Sequence, residues 1–338
     1  MPVQLPIAVL GAGSFGTAMA IAFAKENKPV TLWGHNAVTM AEIANNKENK
    51  RYLPGIKLPD SISVNPCLES ISKTHLHYFV VVPSHAFRQN LVDLKRNCDK
   101  NGNQPETISW GTKGFEPESG SLLSHVACET FSDTTNFAVI TGPSFAKELA
   151  RGLPTTLTVA SNDTATAQKV ASWLKNPTLK AYTNSDIIGT QVGGAVKNVM
   201  AIATGICDGM GLGANARAGL ITRGLAELTR MGQALGGQTE TFMGLSGLGY
   251  LILTCTDDQS RNRRVGLGLG SGKTLTQILN DIGQEAEGVI TTKTVHMLAG
   301  KLQIEMPITA AVYSVLYKNL SPEDGVRQLL TRELKSEY

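Results

Sequence analysis

A short apolar run, Ile7–Leu10, is followed at once by Gly11-Ala-Gly13-Ser-Phe-Gly16 and then by a helical pattern over 17–25. No other stretch restricts the chain so strongly. In strand–turn–helix order, the first glycine permits the tight turn and the second lets a pyrophosphate approach the backbone. The third lets helix and strand pack closely. Free N–H groups at the helix start, with the helix dipole behind them, favour an anion there. Together with a second strand at Val30–Trp33, the pattern predicts a sheet that carries a dinucleotide at its first turn.

The end of the second strand bears on which dinucleotide. An NAD site normally places an acid there to hold the ribose hydroxyls. Here the strand closes Leu32-Trp33-Gly34-His35, and no acid occurs before Glu42. A missing carboxylate removes repulsion toward a 2′-phosphate, and His35 adds a donor. NADP(H) is therefore favoured, with NAD(H) still allowed. Further strand candidates lie at 62–64, 78–82, 107–110, 137–140, 156–160 and 179–182, most of them separated by helical stretches. That βαβ rhythm predicts an α/β fold with a Rossmann-like, doubly wound, mainly parallel sheet. Ligands of such sheets gather outside the carboxyl ends of the strands. Val80-Val-Val-Pro-Ser-His85, Gly111-Thr-Lys113-Gly114 and Thr141-Gly-Pro-Ser144 fall at those ends. Lys113 is placed to meet a phosphate or substrate oxygen, or else is an ordinary turn lysine. Ser144 can cap the helical pattern of 145–150, and His85 reads as a helix-start residue rather than a catalyst.

Strand signals stop near 183–185, and helical periodicity then runs almost to the end. The expected division is a dinucleotide-binding domain, 1–185, and an all-helical substrate domain, 186–338. The second opens with DIIGTQVGGAVKNVMAIATGICD, in which Ile188, Val192, Val196, Val199 and Ile206 mark one buried helix face. Lys197, followed by Asn198, interrupts it. A helical side chain leans back over the preceding turn, so Lys197 is expected over a hollow left by Gly193 and Gly194. The alternative is that the glycines admit another helix while Lys197 snorkels to water. A place beside the interdomain cleft would favour the first reading. Downstream, 211–215 reads as a turn and 216–235 as a helix. Gly244-Leu-Ser-Gly-Leu-Gly249 and Leu251-Ile-Leu-Thr254 then lead into Ser260-Arg261-Asn262-Arg263-Arg264. Those guanidinium forks suit a phosphate, or else form a solvated basic face. Glu285 and Glu287 could contact cofactor hydroxyls or simply start a helix. Gly270-Ser-Gly272-Lys273-Thr274 imitates a phosphate-binding P-loop, but Leu267 stands where the first glycine is required and no strand precedes it.

Composition removes other classes of function. At 338 residues and 42% hydrophobic, the chain can bury the cores of two domains. A net charge of +3 without a dense basic block excludes a nucleic-acid surface. Five scattered cysteines without a C-x-x-C pair exclude a disulfide framework or zinc site and suit reduced thiols of a cytoplasmic protein. Neither a leader nor an apolar run long enough for a membrane span is expected. His75 and His77, two apart on an expected strand edge, lack metal-ligand spacing, and no serine elbow supports a nucleophilic triad. What remains is hydride transfer assisted by lysine.

Over almost its whole length the chain resembles bacterial NAD(P)-dependent glycerol-3-phosphate dehydrogenases. The resemblance is carried by GAGSFGTAMA, RYLPGIKLP, VVPSHAFR, GTKGFE, GPSFAKELARGLPT, VGGAVKNVMAIATGICDGMGLGANARAGLITRGL, TFMGLSGLG and SRNRRVG, in that order. It implies a Rossmann domain plus a helical domain, usually as a homodimer. The implied reaction interconverts dihydroxyacetone phosphate and sn-glycerol 3-phosphate for phospholipid synthesis. It further implies that Lys197 is the acid/base lysine and Lys113 a second active-site lysine. Asn198, Thr254, Ser260, Arg261 and Asn262 would surround the substrate, Arg261 also lying near the cofactor. Gly142 and Ser144 match substrate-side positions and Ala146 a cofactor contact. Ser14, Phe15, His35, Glu285 and Glu287 match the nucleotide-binding set. One position departs: where the family carries an aspartate before the Leu-x-x-Thr segment, this chain has Tyr250. Losing that anion is expected to make Lys197 easier to deprotonate. Two rival readings stand beside the dehydrogenase. One is a β-hydroxyacid dehydrogenase relative, which the SRNRR and GTKG segments disfavour. The other is a degenerate homologue that binds NADPH without turnover.

Overall fold

A computed structural model describes residues 6–131 and 135–331. The outermost residues of the two expected domains therefore lie outside the described residues. The first part of the chain alternates strands and helices: β1 (Ile7–Leu10), α1 (Ser14–Phe23), β2 (Val30–Trp33), α2 (Ala37–Asn46), β3 (Ile62–Val64), α3 (Leu68–Ser72), β4 (His77–Val80), α4 (Phe87–Asn101), β5 (Thr107–Trp110), α5 (Leu123–Thr130), β6 (Asn136–Thr141), α6 (Ala146–Arg151), β7 (Thr155–Ala160), α7 (Thr164–Trp173) and β8 (Leu179–Asn184). The strands form one sheet in the order β3-β2-β1-β4-β5-β6-β7-β8. Every pairing is parallel except β6 with β7. Alternation along each strand feeds two cores, one on each face. Ile7 and Val9 join Phe79, Ile140 and Leu157 on one side. Ala8 and Leu10 join Tyr78, Val80 and Trp110 on the other.

Strand order reverses between β1 and β4, the switch point at which such sheets bind ligands. The expected strands are all present. β8 extends to Asn184 because it pairs with β7 over its full length. His75 and His77 correct the expectation of an edge, since β4 lies between β1 and β5 and both imidazoles are buried. Burial lowers the pKa of each below the ordinary imidazole value.

Among the described residues, helices alone follow: α8 (Ile187–Gly209), α9 (Gly213–Ala234), α10 (Thr239–Met243), a π-helical turn at Leu245–Gly249, α11 (Tyr250–Thr256), α12 (Arg261–Gly270), α13 (Leu275–Ile282), α14 (Glu287–Lys301), α15 (Pro307–Tyr317) and α16 (Pro322–Leu330). No helix among the described residues is long and apolar enough to cross a membrane. The chain separates into two compact units, with Ser121–Gln191 in the first and Val192 onward in the second, which also takes Pro117–Gly120. α9 begins at Gly213, ahead of the expected start, because Gly211 at φ +72° completes the turn. Thr274 and Gln277 close a capping box at the head of α13, and Lys273 pairs with Asp281 at 2.9 Å. That disposes of the P-loop lookalike.

The helical unit is keyed by glycines. A Cβ on Gly266 would lie 2.1 Å from the Ile202 carbonyl oxygen and 2.8 Å from Gly205 Cα, and one on Gly270 would lie 3.0 Å from Gly209 Cα. α8 and α12 thus meet backbone to backbone along a four-glycine seam. Each of those glycines lowers helix propensity by about 1 kcal/mol, which this close approach must offset.

Candidate active site

The sheet unit gathers one group of candidate residues at its carboxyl edge. Gly11 sits at φ +129°, and a Cβ there would meet the Val81 carbonyl oxygen at 2.7 Å. A Cβ on Gly16 would lie 1.8 Å from the Gly11 oxygen. At Gly13, by contrast, a Cβ would find nothing within 4 Å, so the backbone is open where a pyrophosphate must approach. α1 then begins at Ser14 with Gly13 as its N-cap; no described side chain caps it, and its first turn holds no acid. These features fit a dinucleotide phosphate at the helix start.

Asn49, which the sequence reading did not single out, holds this turn in shape. The residue is buried; its Nδ2 donates to the Ala12 carbonyl at 2.9 Å and to Thr17 Oγ1 at 2.8 Å, and its Oδ1 accepts from Tyr52 N–H. Ser14 Oγ donates to the Tyr52 carbonyl at 2.7 Å, adding a second tie to the same segment. Charged neighbours on both sides of Asn49 give no periodic signal of its burial.

His35 is exposed directly after β2, and Asn36 beside it caps α2 by accepting from Thr39 N–H. Lys113 folds back over the glycine loop: Nζ donates to the Gly111 carbonyl at 3.1 Å and stands 3.9 Å from the Phe15 ring centroid. Gly142, at φ +130°, passes close to β7, where a Cβ would lie 3.1 Å from Leu157 Cα. Ser144 donates to the Gly142 carbonyl at 2.9 Å. Phe145, not Ser144, occupies the N-cap of α6, and Ala146 opens that helix packed against the sheet core.

The helical unit gathers the second group around α8. Lys197 does not snorkel, for it is only 4% exposed. Its Nζ donates to Thr254 Oγ1 at 3.0 Å and stands 3.7 Å from the Tyr250 ring centroid. Thr254 donates its own proton to the Tyr250 carbonyl at 2.7 Å, which turns a lone pair toward the lysine. The expected hollow at Gly193 is filled: a Cβ there would lie 2.2 Å from the Ser246 carbonyl oxygen, in the π-helical turn. The glycine therefore admits backbone rather than substrate, and Lys197 works against α11 instead.

Asn198 Oδ1 accepts from Asn262 Nδ2 at 2.8 Å, and Asn262 Oδ1 accepts from Gly288 N–H at 2.9 Å. This chain ties α8, α12 and the start of α14 together. Ser260 caps α12 by accepting from Arg263 N–H. The SRNRR arginines divide in function. Arg263 is buried and paired with Asp208 and Asp258, while Arg217 also holds Asp208, so its guanidinium is structural. Arg264 is exposed. Arg261 is half-buried and makes a long hydrogen bond, 3.4 Å, to the neutral Gln284 amide. Burial lowers its pKa; Glu287 opposes this most, Arg264 adds to it, and Glu285 and Tyr250 oppose it more weakly. A desolvated guanidinium with an adaptable neutral partner is chemically suited to a phosphate dianion. Glu287 is the first residue of α14. No cluster of potential metal ligands occurs among the described residues.

Comparison with known proteins matches both units to one family. A family model described as the NAD-dependent glycerol-3-phosphate dehydrogenase N-terminus matches residues 6–167, and its C-terminal counterpart matches 186–327. The chain is 49% identical over 332 residues to glycerol-3-phosphate dehydrogenase [NAD(P)+] of Pseudoalteromonas translucida, covering 98% of each chain. Identity to the same enzyme of Tolumonas auensis is 46% over 339 residues, covering all of both chains. The crystal structure of glycerol-3-phosphate dehydrogenase from Coxiella burnetii superposes with a TM-score of 0.94 at 42% identity, covering 98% of this chain and 100% of that one.

Proposed function

The chain belongs to the NAD-dependent glycerol-3-phosphate dehydrogenase family, and from that premise we propose that it reduces dihydroxyacetone phosphate reversibly to sn-glycerol 3-phosphate with NAD(P)(H). The observation that carries the proton chemistry is Lys197, a buried ammonium held by Thr254 and Tyr250. The nicotinamide, when bound, supplies the hydride that reduces C2. Lys197 donates a proton to the oxygen that becomes the alcohol, and Lys113 helps polarise and position that oxygen. Arg261 grips the phosphate, so binding energy from a non-reacting group orients the carbonyl. Asn198, Asn262, Thr254 and Ser260 keep these groups in place through the bonds described above. Gly142 and Ser144 shape the substrate side of the sheet edge. Gly11, Gly13, Ser14, Phe15, Gly16, His35 and Ala146, with Glu285 and Glu287, hold the dinucleotide.

Cofactor preference rests on the end of β2. His35 is exposed, Asn36 is engaged in capping, and no carboxylate stands before Glu42. The site therefore favours NADP(H) over NAD(H). Family membership supports a cytoplasmic homodimer that supplies glycerol 3-phosphate to phospholipid synthesis.

Steady-state oxidation of NADPH by dihydroxyacetone phosphate tests the reading. Lys197→Ala should abolish turnover while NADPH affinity persists; near-parental turnover would remove Lys197 from its role. Arg261→Ala should chiefly raise KM for the phosphate substrate. An active parent protein also excludes the binding-only alternative.

A further inference from the structure

The Lys197 ammonium meets two groups from one turn of α11. The Thr254 hydroxyl lies at 3.0 Å and the centroid of the Tyr250 ring at 3.7 Å. Tyr250 is 4% exposed, so its ring face works out of bulk water. The π-helical turn before it is pressed against α8 at Gly193, one helical turn ahead of Lys197. Tyr250 is thus fixed to α8 both through backbone packing and through the lysine itself. It also stands within electrostatic reach of Arg261. A cation over an aromatic face is attracted by the ring quadrupole, the more so when water is excluded.

We propose that Tyr250 is a positioning residue for the proton-transfer step, its ring face rather than its hydroxyl holding the Lys197 ammonium in place and favouring its charged form. The proposal deepens the reading of Lys197 as the acid/base group. The other ionisable groups around Lys197 and Tyr250 come from several elements. On α11, Cys255 is a buried thiol pushed up to about 11 by desolvation. On α12, Arg263 is neutralised by Asp208 of α8, and Arg261 is balanced by Glu285 and Glu287 at the start of α14.

The test replaces Tyr250 in the full-length protein with Phe and then with mono-, di- and trifluorinated phenylalanines. Fluorination withdraws the ring's negative face while keeping its shape, so folding is preserved across the series. Two quantities are read. In the cofactor-free protein labelled with 13C-lysine, the Lys197 Cε signal, assigned by its loss in Lys197→Arg, is titrated with pH. In steady state, the alkaline limb of kcat for dihydroxyacetone phosphate reduction is followed. Tyr250→Phe should leave both midpoints in place, because the ring face survives. Each added fluorine should lower both midpoints, by about half a unit to one unit over the series. Midpoints that do not move with fluorination overturn the proposal. So does a Phe variant whose midpoint has already fallen as far as that of the trifluoro variant, since the hydroxyl would then be the agent. If the Cε midpoint moves while Lys197→Ala still turns over, the ring holds the lysine but the acid/base assignment has failed.

Discussion

Gly266→Ala probes the seam between α8 and α12. The added Cβ would lie 2.1 Å from the Ile202 carbonyl oxygen, 2.7 Å from Ile206 N and 2.8 Å from Gly205 Cα, against about 3.4 Å for ordinary contact. All three are backbone atoms, so no side chain can swing away and the helices must part by about 1 Å. Overpacking of this kind costs about 1–3 kcal/mol or more, and alanine returns about 1 kcal/mol of helix propensity. With nothing flexible in the contact, the net loss should approach 2 kcal/mol. In a unit of this size that corresponds to a fall in Tm of about 4–8 °C. The site should register the same movement. Asn262 lies one turn before Gly266, and its 2.8 Å bond to Asn198 cannot survive such a separation. KM for dihydroxyacetone phosphate should therefore rise. Gly219→Ala is the internal control. It is also inside a helix, α9, but a Cβ there meets nothing within 4 Å, so Tm should rise. Calorimetry and steady-state kinetics on the two variants decide the matter. A Gly266→Ala protein as stable as its parent, or a destabilised one with parental KM, refutes the reasoning.

Two further outcomes are expected. His75 and His77 are held below the ordinary imidazole pKa by burial, so below about pH 6.5 the unfolded chain binds protons that the folded one does not. Their contribution is full above that pH and is lost as pH falls toward the lowered folded values; a His75→Gln/His77→Gln variant should flatten the fall in Tm between pH 7.5 and 5.5. An unchanged slope would place the acid sensitivity elsewhere. Asn49→Ala removes the tie between segment and glycine loop and should raise the NADPH Kd about tenfold by fluorescence titration, with kcat nearly unchanged.

The sheet was legible because its strands are short runs rich in apolar and β-branched residues separated by helical stretches, whereas the strand order that fixes the switch point was not. The glycine loop was legible because each glycine has a separate steric duty, which the surroundings of Gly11, Gly13 and Gly16 bear out. The helical unit was less legible. A 3.6-residue period says which face of a helix is buried but not what covers it. Hence Gly193 read as a hollow when it faces the Ser246 carbonyl, and SRNRR read as a phosphate cluster or a solvated basic face when Asp208 and Asp258 claim Arg263. Asn49 was invisible because a buried amide surrounded by charged residues leaves no periodic trace.

The bare start of α1 has a consequence for the life of the protein. Its first N–H groups have no described side-chain cap and its first turn holds no acid, so a dinucleotide phosphate would complete the helix as a capping residue otherwise does. Ligand that binds only the folded chain stabilises it by about 2.7 kcal/mol at a hundred times its Kd. The phosphates are common to the oxidised and reduced nucleotide. Resistance to unfolding and proteolysis would then follow the size of the cellular nucleotide pool, while the redox state of that same pool sets only the direction of the reaction.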